Sequence, residues 1–157
     1  MAQQETNSND IIGNLPLKGN WRYRPYDITT FALAPGETRT IIDLRRHGWI
    51  IWGFVTHNNP DLSCVIELET GTETYRNSFT TNDLFNIGVI QAQSNGWWVS
   101  RYDSILNIYN VLFTPAEWWP FYRRFKVTLE NKTATPATIA RVGVLCIEFM
   151  EESNSAK

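Results

Sequence analysis

The run "GWIIWGFVT" at 48–56 is apolar almost without interruption. By contrast, "FYRRFKVTLENK" at 121–132 alternates, with Phe121, Phe125, Val127 and Leu129 on one side and Tyr122, Arg124, Lys126, Thr128 and Glu130 on the other. The first pattern predicts a central strand covered on both faces, with Trp49 and Trp52 in the core. The second predicts a strand in a well-determined register, with one exception at Arg123. "TRTIIDL" alternates in part, and "LSCVIELET" sets Leu62, Cys64, Ile66 and Leu68 on one face against Ser63, Glu67 and Glu69. The turn residues "NNPD" between "GWIIWGFVT" and "LSCVIELET" predict that the two form a hairpin. "ILNIYNVLFT" and "ATIARVGVLCIEFME" read as further strands.

Two stretches lack such periodicity. "NLPLKGNWRYRPYDITTFALAPGE" is punctuated by Pro and Gly and is expected to lie extended across the domain. "GTETYRNSFTTNDLFNIGVIQAQSNGWWVSRYDS" reads as a long, aromatic-bearing polar excursion with one helical turn capped by Thr80 or Thr81. Roughly six to eight strands without a helix of three turns define an all-β, antiparallel β-sandwich, jelly-roll-like in the first instance. An immunoglobulin-like sandwich is the second choice; the wide separation of Cys64 and Cys146, with both strand tryptophans ahead of the first cysteine, weighs against it. Residues 15–150 are expected to form the single domain, residues 1–14 a flexible N-terminal arm and residues 151–157 a flexible C-terminal tail.

Composition adds a surplus to this picture. A chain of 157 residues with 43% hydrophobic content supports one core, yet 13% aromatic residues with seven tryptophans against 19% charged residues exceed what one core needs, which points to self-association. A net charge of -2 gives no basic field, so no nucleic-acid partner is expected. No stretch reaches the ~20 apolar residues of a membrane span, and the polar start "MAQQETNSND" lacks the apolar region of a signal peptide, so cytosolic synthesis without a membrane partner is expected. Cys64 and Cys146 lie inside apolar runs and read as buried reduced thiols, which leaves the sequon at Asn131 idle.

Chemistry is sparse. His47 and His57 have no companion at zinc spacing, Glu67, Glu69 and Glu73 follow strand alternation, and no nucleophile or phosphate-loop motif occurs. A non-enzymatic protein without metal or cofactor is expected. Basic residues gather at Arg22 with Arg24, at Arg45 with Arg46 and His47, and at Arg123 with Arg124, each beside aromatics, as at interface cores or over rings of the same subunit. Trp97 with Trp98 and Trp118 with Trp119 sit in connections. Adjacent residues of an extended chain point oppositely, so at least one ring of each pair is a candidate for an outside partner: a second subunit, or a glycan stacked on Trp97 and Trp98.

At "FALAPGETRTIIDLRRHGWIIWGFVTHNNPDLSCVIELET" and "WPFYRRFKVTLENKT" the chain resembles virion-associated jelly-roll proteins of tailed phages. The shared features are "PGET" leading a strand, a Gly-Trp strand, "NP", and a late "PF" strand ending in an Asn and Thr turn, over about Phe31 to Phe149. The resemblance implies a capsid decoration or cement protein, or another small virion component, assembled as a homo-oligomer, often a trimer, on the major capsid protein or another virion protein. It implies no catalytic residues. Trp118, Trp119, Phe121 and Tyr122 would wedge between subunits or onto the shell, with Arg123 and Arg124 setting orientation against carboxylates. A carbohydrate-binding module or a tail-associated receptor-binding component is the alternative.

Overall fold

The computed structural model describes residues 21–70, 72–89, 96–114 and 119–149. The expected arm at 1–14, the tail at 151–157 and Trp118 lie outside the described residues.

The chain forms a sandwich of two antiparallel sheets. Among the described residues the strands are β1 (Trp21–Leu33), β2 (Thr38–Leu44), β3 (Gly48–His57), β4 (Ser63–Thr70), β5 (Glu73–Thr80), β6 (Trp97–Asp103), β7 (Ile108–Phe113), β8 (Trp119–Phe121), β9 (Arg124–Glu130) and β10 (Ala137–Phe149), with one helix, α1 (Thr81–Asn86). Sheet A has the order β1-β10-β3-β7-β6, with β8 also on β3, and sheet B the order β2-β9-β4-β5. Successive strands exchange sheets at β1 to β2, β2 to β3 and β3 to β4, the interleaving of a jelly-roll-like sandwich rather than an immunoglobulin-like one.

This order overturns the expected hairpin. The "NNPD" turn carries the chain from β3 in sheet A to β4 in sheet B, and β4 pairs instead with β5 and β9. Turn residues reverse the chain; they do not decide which sheet receives the next strand. The polar excursion also holds more structure than a loop, since β5 and β6 are strands and α1 is closed by a capping box between Thr80 and Asp83. The described part of the aperiodic lead-in holds β1, paired with β10 from Trp21 opposite Phe149 to Leu33 opposite Ala137.

The core lies between the sheets. Phe125, Val127 and Leu129 from β9 and Cys64, Ile66 and Leu68 from β4 meet Ile50, Val55, Val142 and Val144 from sheet A. Arg123, the exception in the alternation, falls where the chain leaves β8 in sheet A to begin β9 in sheet B, with the Tyr122 and Arg123 amides donating to the Glu69 carbonyl at 2.9 and 3.3 Å. The "PGET" turn docks on Asn131: its Nδ2 donates to the carbonyls of Leu33, Ala34 and Thr135, and its backbone exchanges hydrogen bonds with Gly36 and Glu37. Cys64 and Cys146 are free and buried, and burial pushes the Cys64 thiol up to about 12.

Candidate functional site

The outer face of sheet A is built by a bulge in β3. Trp52 pairs with Leu145 while Ile50 pairs with Cys146, leaving Ile51 as an extra residue. Before it Ile50 points into the core, and after it Val55 does. In a regular strand Trp49 and Trp52 would lie on opposite faces; the bulge turns both outward. The expectation that they belong to the core is therefore corrected: neither lies in or against the core cluster, and Trp52 is 38% exposed.

One cross-strand row on this face reads Trp98, Leu112, Phe54, Gly143 and Asp27 across β6, β7, β3, β10 and β1. Gly143 is a packing requirement, since a Cβ there would stand 2.3 Å from the Phe54 ring. The ring thus lies flat across β10 and stacks on Trp52 with centroids 5.6 Å apart and planes 13° apart. Beyond Trp52, Trp49 packs on Trp21 at 4.4 Å, and Trp21 adjoins Phe149 and His47. At the edge, Arg141 forks onto Asp27 at 2.8 and 2.6 Å, which holds the Asp27 carboxyl below its ordinary value.

The residues singled out in the sequence fall into three groups. Trp97 and Phe121 face inward. The Trp97 ring sits 4.7 Å from Phe79 and 4.6 Å from Phe113, and Phe121 is 0% exposed and packs on Phe125. Phe121 has no ring to offer a partner and Trp97 packs against the core with its ring partly buried, because each continues the inward set of its strand. Arg124 is committed within the chain, forking onto Asp43 at 2.6 and 2.7 Å. Trp98, Trp119, Tyr122 and Arg123 retain accessible surface. Trp98 lies on the outer face of sheet A with its Nε1 donating to Thr114 Oγ1 at 2.9 Å. Tyr122 is 59% exposed, and the exposed Arg123 side chain makes no hydrogen bond or ion pair with a described residue.

Trp119 lines an open groove of about 330 Å³ with Leu68, Glu73, Tyr75 and Pro120. Its ring meets Tyr75 edge-on at 5.8 Å and Phe113 at 4.8 Å. Tyr75 escaped notice in the sequence because "ETYRNSFT" reads as polar; its place on β5, two residues from Asn77 and four from the buried Phe79, is the signal that would have found it.

Two polar features complete the site. Glu148, fully buried at the end of β10, accepts from the Tyr26 hydroxyl and from Arg46 Nη1 at 3.0 Å, with Cys146 Sγ at 3.6 Å. Burial and the hydrogen bond to this carboxylate push the Tyr26 hydroxyl and, with its charge, the Cys146 thiol upward. His57 is buried against Thr81 Oγ1 at 2.9 Å, and loss of hydration lowers it to about 4. No protein-family model matches the chain, and no curated protein matches it in sequence.

Proposed function

We propose that the protein is a non-enzymatic structural component of a virion, of the capsid decoration or cement kind, which associates with itself and with the major capsid protein through aromatic and arginine contacts. One observation carries this reading: the outer face of sheet A holds Trp49, Trp52, Phe54 and Trp98 outside the core. A solitary sandwich has no use for such a face, whereas subunits packed on a shell do. The jelly-roll-like strand order and the resemblance to tailed-phage virion proteins support the same class. Tyr122 and Arg123 offer a second exposed contact at the crossover between sheets. The expected assembly is a homo-oligomer, often a trimer, whose place is the virion.

The test is uptake of the purified chain by capsids that lack it, quantified by gel densitometry. Saturation at a fixed copy number, lowered by Tyr122→Ala with Arg123→Ala, is the expected result; no uptake at any concentration would sink the reading.

A second reading is favoured by the groove. Tyr75 and Trp119 beside the Glu73 carboxylate form the aromatic and acceptor surface that a sugar ring requires. Titration of a glycan panel followed by tryptophan fluorescence should give a saturable change that Tyr75→Ala abolishes, and flat titrations would remove this reading.

A further inference from the structure

We infer that the outer face of sheet A is the surface through which two copies of this chain pack face to face. The inference rests on the homo-oligomer in the proposed function and names its surface, with a two-fold pair rather than a trimer as the unit this face closes. Only one outer face of the sandwich is free for this. Sheet B presents a cross-strand row of alternating charge, Asp43, Lys126, Glu67 and Arg76, closed by ion pairs of 3.2 Å from Lys126 to Glu67 and 3.3 Å from Arg76 to Glu67. Sheet A presents Trp98, Leu112, Phe54, Trp52 and Leu145, all outside the core cluster.

The dimensions fit a second copy. Strands about 4.8 Å apart and about 3.3 Å per residue give the five strands of sheet A, with the ten-residue β3 at their centre, a face of about 800 Å², the share one partner buries in a stable interface of standard size. Gly143 also lets the Phe54 ring lie against β10, stacked on Trp52, and sheet faces pack on one another about 10 Å apart. Beside the apolar row runs the polar row Arg101, Asn110, Thr56, Arg141 and Thr29, in which Arg141 of β10 is paired with Asp27 of the edge strand β1, so two identical faces meet with both signs of charge and no obligatory clash of like charges.

The experiment is light scattering of the full chain and of Trp52→Arg, with circular dichroism to follow folding. In parallel, cysteine cross-linking compares Leu145→Cys on this face with Thr74→Cys on sheet B; both native thiols are buried and stay silent. The expected result is a wild-type mass of at least two chains, a folded single-chain Trp52→Arg, and a covalent dimer from Leu145→Cys but not from Thr74→Cys. Should Trp52→Arg fail to fold, the cysteine pair decides. A wild-type oligomer that Trp52→Arg leaves intact and Leu145→Cys does not link overturns this surface while leaving the homo-oligomer standing. A wild-type mass of one chain at every concentration overturns both, and hands the face to the chain's own first 20 residues or to the capsid, which the uptake assay judges separately.

Discussion

The two outer faces of the sandwich solve the same problem in opposite ways. On sheet B the row Asp43, Lys126, Glu67 and Arg76 crosses four strands with alternating sign, so each charge faces a partner and water. On sheet A the row Trp98, Leu112, Phe54 and Gly143 crosses four strands without a charge and meets one only at Asp27. The first face is complete in a single chain. The second leaves its aromatic side chains outside the core of a single chain. Both rest on antiparallel pairing, and side-chain choice with the bulge in β3 sets which residues the two outer faces carry.

The comparison can be broken in three ways, the largest effect first. Acid should strike the interior before either face. His57 titrates at about 4 in the fold against 6.5 ordinarily, so between these values the unfolded chain binds a proton that the folded chain does not. Stability is then level above about pH 6.5 as far as this group is concerned and falls as pH drops toward 4, by on the order of 3 kcal/mol in all. The Asp43 carboxyl, held below its ordinary value mainly by its hydrogen bond with Arg124, keeps the sheet B face paired until pH falls below the usual carboxylate range. Urea unfolding at pH 7 and pH 4.5 should show this loss and His57→Gln should flatten it; an equal loss in the variant would assign it elsewhere.

Next, Gly143→Ala should cost about 1–3 kcal/mol, the usual range for overpacking, because the added methyl meets the Phe54 ring at 2.3 Å. In a double-mutant cycle with Phe54→Ala the two costs should fall short of their sum, and strict additivity would mean that the ring is not what Gly143 accommodates. The smallest effect is expected on sheet B. Glu67→Gln removes the centre of two ion pairs, yet surface pairs contribute about 0–1 kcal/mol each, and Arg76 is largely exposed while the half-buried Lys126 keeps part of its hydration. A midpoint shift as large as that of Gly143→Ala would show that the charged row is more than a water-compatible surface.

The strands that alternate were legible from the chain because period two and a buried face define a register. "TRTIIDL" is β2 residue for residue, and the inward set of β9 is the predicted one. Even the irregularity at Arg123 was visible, although only the fold reveals that it is a change of sheet. The candidate surface was less legible. The pattern places Trp49 and Trp52 inward because a bulge at Ile51 leaves no compositional trace, and an apolar run with both faces covered looks the same as one with a face left over. The paired tryptophans drew attention for a sound geometric reason, yet Trp97 and its neighbour differ only in which side of β6 they occupy, and that depends on partners chosen far along the chain.

Asn131 heads the triplet Asn-Lys-Thr, and its side-chain nitrogen is the donor that ties the ends of three segments together while only 1% of the residue is exposed. A sugar attached to that nitrogen would remove one of its two hydrogens and would have no space in the clamp. For this chain, modification at Asn131 and the folded state exclude each other. A chain sent through a eukaryotic secretory route would therefore divide into a sugar-bearing, misfolded fraction and a bare, folded one.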